Sequence, residues 1–166
     1  VFEYLESIGV DVSYVDTLDE VITFKHIKPL IKDNTKLVSI MSVNNETGII
    51  NDVEVIAQEL QKLGIKFHTD AVQALGKVKL DYRLFDYVSF SSHKIYGPKG
   101  IGALIVDKKL PIDAFIRGGG HESGLRSGTE NVASIVGFGA AAELAVEIAR
   151  NYDARVGFCV TGSSLS

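Results

Sequence analysis

The sequence predicts an α/β domain: a mostly parallel sheet with helices layered on both faces, a three-layer α/β/α arrangement. Two observations carry this. Short apolar runs of strand length alternate with stretches that repeat apolar residues at helical spacing, the pattern of strand–helix–strand units. The run LVSIMSV at 37–43 is almost continuously apolar, as expected of a strand covered on both faces.

The elements follow in order. Residues 1–8 read as the end of a helix closed by Gly9, and 11–15 (DVSYV) as a short strand. Residues 23–31 suit a helix with Thr23 as its N-cap, followed by an Asp33-Asn34 turn. After the strand 37–43, residues 52–63 place Val53, Ile56, Ala57, Leu60 and Leu63 on one helical face. Asn51 or Asp52 is the expected cap there, and Gly64 the stop. Residues 65–69 and Tyr87–Ser91 read as buried strands parallel to 37–43. Gly102–Val106 (GALIV) joins the same sheet in reverse, because only about ten residues separate it from the previous strand, short for a parallel crossover. Residues 131–152 form a long Ala-rich helix.

Composition narrows the function classes. The chain has 166 residues, the size of one domain, with neither an internal repeat nor a low-complexity segment. Lys+Arg 17 against Asp+Glu 21 leaves a net charge of −4, so no basic excess points to nucleic acid or an anionic membrane. A single cysteine, Cys159, excludes an internal disulfide framework and a cysteine-built metal site within one chain. The opening residues mix charged with apolar side chains, unlike a signal peptide. No run approaches the ~18 uncharged apolar residues of a membrane span. The expectation is a soluble, cytoplasmic domain.

Glycine placement shows where chemistry is to be sought. Eight of the 16 glycines fall between Gly97 and Gly128, a loop system that needs positive φ or close backbone approach. It opens with SSHKIYGPKG (91–100), which sets Lys94 just past a strand end, at the crevice where open α/β sheets bind ligands. Lysine forms Schiff bases with carbonyl cofactors. The preceding strand closes with a carboxylate, Asp70, in HTDAVQ (68–73). A lysine for an aldehyde and an aspartate for a protonated ring nitrogen are the pair that pyridoxal phosphate needs. Alone, each residue also has a plainer reading: Lys94 as a solvated charge, Asp70 as the cap of a following helix. Ser91, Ser92 and His93 add hydroxyls and an imidazole suited to a phosphate ester, and RSGT (126–129) adds a cation and a hydroxyl. NNETG (44–48) sets amides at a further strand end. Nucleotide-cradle, nucleophile-elbow and zinc-spacing motifs are all lacking, and His26 reads as a surface residue.

Four segments then resemble one family in its order: VSIMSVNNETG (38–48), FHTDAVQALGK (67–77), SFSSHKIYGPKGIGAL (89–104) and GGGHESGLRSGTENVASIVGFGAA (118–141). Together they look like the cysteine desulfurases, class V aminotransferase-like enzymes of the fold-type I pyridoxal-phosphate group. The resemblance implies the large domain of that fold and the conversion of L-cysteine to L-alanine. It further implies that the sulfur passes to an enzyme cysteine as a persulfide for iron–sulfur cluster or thio-cofactor assembly. By motif, Lys94 is similar to the Schiff-base lysine and Asp70 to the ring-nitrogen partner. Gln73 matches the residue bonding the phenolic oxygen, and Asn45 an amide near that oxygen and the substrate. Ser91 and His93 resemble phosphate ligands. Thr129 matches a phosphate ligand given across a homodimer interface. A sulfur-acceptor or scaffold protein is the implied partner; no metal is. Relatives of this kind are longer at both ends, so the expectation is that 1–153 is a partial cofactor-binding domain. The stretch 154–166 is then an atypical tail in which Cys159 comes too early to match the family's cysteine. The rival expectations are a non-catalytic remnant that only binds cofactor or partner, and a sibling such as a selenocysteine lyase.

Overall fold

The computed structural model describes residues 1–16, 20–110 and 112–151. The predicted tail 154–166, Cys159 and the helix end at Tyr152 lie outside the described residues. A four-stranded sheet forms the centre, in the order β1 (Leu37–Met41), β2 (Lys66–Asp70), β3 (Tyr87–Ser91) and β4 (Gly102–Val106). The first three strands are parallel and β4 is antiparallel to β3, as the short connection requires. The helices are α1 (Phe2–Ser7), α2 (Phe24–Ile27), α3 (Val53–Lys62) and α4 (Val132–Asn151).

Strand alternation gives the sheet two unlike faces. One presents Val38, Ile40, Phe67, Val88 and Phe90, which enter the core with Val53, Ile56, Ala57 and Leu60 of α3. Phe67 is 1% exposed and meets Phe85 edge-on, with ring centroids 5.9 Å apart. The other face carries Ser39, His68, Asp70, Ser89 and Ser91, so it is polar at its C-terminal half. On this second face Leu37 and Met41 are 47% and 40% exposed with Ser39 between them, so the described residues do not cover that side of the run 37–43.

Helix ends follow local chemistry. The stop after α3 is a left-handed Gly64 (φ +70°), with Gly64 N donating to Gln61 O and Ile65 N to Leu60 O. That pair of bonds satisfies carbonyls the helix leaves open, and only glycine adopts this φ without strain. Leu63, expected on the apolar face, is 55% exposed because the helix has already ended. Neither expected cap bonds the helix through its side chain. Asn51 instead accepts from Ile22 N and donates to Met41 O, both at 2.9 Å, stitching the approach to α2 onto the end of β1.

Two expectations fail for reasons of context. The helix over 23–31 breaks after Ile27 into a 3-10 turn, Lys28–Leu30, because Pro29 has no N–H to give a continuing α-helix. His26 does more than cover surface: its Nδ1 accepts from Thr23 N at 3.1 Å and so caps α2. The run 11–15 has strand-like residues but no ladder, since a strand exists only where a neighbour completes its hydrogen bonds. It lines a cavity of about 650 Å³ together with Leu5, Ile31, Val38 and Ile40.

The helix α4 is capped by Asn131, whose Oδ1 accepts from Ser134 N. Over Val132–Arg150 it has a mean hydropathy of 1.7, long and apolar enough by length and composition to cross a membrane, although Glu143 and Glu147 interrupt it as an uncharged run. Its Ala141 and Ala145 abut Gly97 and Gly76 of the sheet domain. A Cβ at Gly76 would sit 2.5 Å from Ala145 Cβ, at a φ of +72°. Gly76→Ala is expected to cost about 1–3 kcal/mol through overpacking and backbone strain. Gly139→Ala, on the same helix with nothing within 4 Å, is expected to gain up to about 1 kcal/mol of helix propensity. Urea denaturation of the two variants checks the contrast.

Candidate active site

The site is built where the parallel strands end. Because β2 and β3 are adjacent and run the same way, Asp70 and Ser91 finish at one edge of the sheet, and the pairing of Asp70 with Ser89 sets all three on one face. Beyond β3 the chain turns at once into a 3-10 segment, Ser92–Ile95, that carries His93 and Lys94. The turn closes on Tyr96, left-handed at φ +65°, and Gly97 N bonds Ser92 O. Both His93 and Lys94 are exposed, while Ser92 and Ile95 of the same turn are buried and anchor it.

Beyond β2 the chain forms a second tight turn. Asp70 Oδ1 accepts from Val72 N at 2.9 Å, leaving the other carboxylate oxygen for a ligand. Bonds from Ala74 N to Ala71 O and from Lys77 N to Ala74 O fold 71–77 compactly, with Ala71 and Ala74 at 0% exposure. Gln73 and Lys77 stand one turn apart on it, and Lys77 Nζ donates to Gln73 Oε1 at 3.1 Å. Burial lowers the pKa of Lys77 from its ordinary value, and the Lys94 ammonium lowers it further. A third turn, 44–48, follows β1. Ser42 donates from both N and Oγ to Asp70 O at 2.9 Å, tying the exits of β1 and β2 together, and Asn45 is exposed on the turn.

The structure thus brings Asn45, Asp70, Gln73, Ser91, His93 and Lys94 to one sheet edge. Ser91 Oγ lies 2.8 Å from His93 Nδ1. With the imidazole donating, the serine hydroxyl is left to donate to an anion. Thr129 is exposed on a loop folded onto itself, where Ser127 N bonds Ile116 O and Gly120 N bonds Ser127 Oγ. Among the described residues, no hydrogen bond joins Thr129 to the other six. Carboxylate, amine, amide, hydroxyl and imidazole together fit a phosphorylated aldehyde that carries a basic ring nitrogen.

Comparison with known proteins decides the family. The family model for class-V aminotransferases matches residues 3–155. The chain belongs to the class-V aminotransferase family. It is 49% identical over 148 residues to "Cysteine desulfurase IscS" of Pseudomonas fluorescens (strain Pf0-1), covering 86% of this chain and 37% of that protein. Among solved structures, a "NIFS-LIKE PROTEIN" superimposes with a TM-score of 0.83 at 42% identity, covering 90% of this chain and 42% of the other. "SspA in complex with cysteine" gives 0.81 at 42% identity over 86% of this chain and 42% of the other. This class-V aminotransferase chain therefore has the mixed-sheet fold of NifS-like proteins and spans about two fifths of the length of the relatives it matches.

Two features of the site went unread in the sequence. Lys77, four residues after Gln73, was detectable from the i, i+4 spacing within QALGK. The second is a polar chain across three strands: Ser39 Oγ lies 2.7 Å from His68 Nδ1, and His68 Nε2 lies 3.2 Å from Ser89 Oγ. Burial of His68 lowers its pKa below the ordinary 6.5, with the Asp70 carboxylate opposing that shift. A base with a depressed folded pKa binds fewer protons than in the unfolded chain, so its contribution is intact above pH 6.5 and is lost as pH falls below it. The melting temperature is expected to fall on going from pH 7.5 to pH 5.5, and by less in His68→Gln. Calorimetry at the two pH values tests this.

Proposed function

We propose that this chain supplies the pyridoxal-phosphate-binding part of a cysteine desulfurase. The observation that carries the reading is the parallel pair β2 and β3 ending together in Asp70 and Ser91, with Lys94 in the turn just beyond. Lys94 would hold the cofactor through its aldehyde, and Asp70 would keep a proton on the ring nitrogen. Gln73 would donate to the phenolic oxygen, with the Asn45 amide beside that oxygen and the substrate. Ser91 and His93 would grip the phosphate side by side, with Ser91 Oγ and His93 Nδ1 2.8 Å apart. The bound cofactor supplies an electron sink for the substrate's cleaved bonds.

The substrate in this reading is L-cysteine. Its C–S bond breaks, alanine leaves, and the sulfur joins a thiolate as a persulfide that an acceptor or scaffold protein takes up for iron–sulfur or thio-cofactor assembly. The exposed Thr129 loop would reach the phosphate of a second copy, making the complete enzyme a cytoplasmic homodimer. The resemblance in sequence to the desulfurase from Pseudomonas fluorescens supports the reaction class.

The test has two arms. The chain is mixed with pyridoxal phosphate and reduced with borohydride, and the modified peptide is identified by mass. The complete protein is then assayed for alanine formed from cysteine. Label on the Lys94 peptide together with cysteine-dependent alanine is the expected outcome. Label scattered over surface lysines, or no alanine, overturns the reading.

A further inference from the structure

We infer that Lys77 is a positioning residue that locks the side-chain amide of Gln73 in one orientation, turning its NH2 end toward the cofactor's phenolic oxygen. The inference rests on the reading of the site given above and extends it to a residue that the resemblance leaves without a role. A glutamine amide has two ends of nearly the same shape, one accepting and one donating. A lysine ammonium has three donors and no acceptor, so at 3.1 Å from Gln73 only the amide oxygen can face it. Rotating the amide by half a turn would set N–H against N–H, with the oxygen turned toward the place where a phenolate oxygen has to be bound.

The surroundings hold both side chains on one rigid turn. Both residues belong to the 71–77 turn, whose backbone is fixed by its own hydrogen bonds and by the buried Ala71 and Ala74. On its far side Gly76 is pressed against Ala145 of α4. With the Cα positions of 73 and 77 held, the remaining freedom of Gln73 lies in its side-chain torsions, and Lys77 removes it. Lys77 is also half-buried, in a place where burial and the Lys94 charge both oppose its ionisation. A lysine serving only solubility would extend into water.

The decisive experiment reads the Gln73 amide directly. In the folded chain without cofactor, the side-chain 15N order parameter of Gln73 is measured by NMR in the parent sequence, Lys77→Arg and Lys77→Met. It is expected to be near the rigid value of about 0.85 in the first two and to drop below about 0.6 in Lys77→Met. Backbone amide shifts of α4 report that each variant keeps the fold. In a second arm, pyridoxal phosphate dissociation is measured for Lys77→Met, Gln73→Ala and the double variant. Either single change is expected to weaken binding about fivefold, and the double variant no more than either alone. An unchanged order parameter in Lys77→Met overturns the inference, as do losses that multiply in the double variant. If no variant and not the parent sequence binds the cofactor, the functional reading fails, and the NMR arm still decides whether Lys77 locks Gln73.

Discussion

Lys94→Ala is expected to abolish the borohydride-fixed label and the visible absorbance of the lysine-bound cofactor. No other amine stands immediately past β3 on the turn that Ser92 and Ile95 anchor. Lys77, the nearby cation, is turned to Gln73 and held on the neighbouring turn, so it does not substitute. Asp70→Asn should act differently. The amine remains, so the label still forms, but the ring nitrogen loses a charge-assisted partner and cofactor dissociation rises about 10- to 100-fold. Absorbance titration of the two variants beside the parent chain separates covalent capture from ring binding. Equal behaviour of the two would show that Asp70 and Lys94 do not serve one ligand.

Phe67→Ala is the change with the largest expected effect on stability. The ring lies under the sheet at 1% exposure, against Phe85 and the apolar face of α3. Removing it leaves a cavity that α3 cannot close, because Ile56 and Leu60 are already fully buried on their own side. The expected loss is about 3–5 kcal/mol, a large part of the roughly 5–15 kcal/mol that stabilises an ordinary domain. Urea denaturation followed by circular dichroism measures it. Leu63→Ala on the same helix serves as control: Leu63 is 55% exposed and should cost less than about 1 kcal/mol. A loss of similar size in both would mean that the sheet and α3 are not packed as described.

The identity and direction of β1 to β4 were legible because their causes are local. Tyr87–Ser91 and Gly102–Val106 are bounded as their apolar runs are, and the short link between them forces the reversal. Gly64 ends its helix through its own bond to Gln61 O and that of Ile65 N to Leu60 O, which is why a glycine at that place could be read as a stop. The placement of the candidate residues was legible for a related reason. In a parallel sheet the residues that close successive strands arrive at one edge, so Asp70, Ser91 and Lys94 could be grouped from their places in the runs.

Other features depended on partners far away in the chain. The run 11–15 has the residues of a strand, yet propensity supplies no ladder. Asn51 looked like a cap and became a cross-link, because the loop before α2, 29 residues away, brings Ile22 N to it. Ser39, His68 and Ser89 form a chain only through the register of three strands, with contacts spanning 29 and 21 residues. The sequence by itself determined the four strands of the sheet, their directions and the edge at which the candidate residues gather, since each follows from neighbours along the chain. Tertiary structure alone decided which side chains hold one another there, because register and helix docking fix distances that no local pattern encodes.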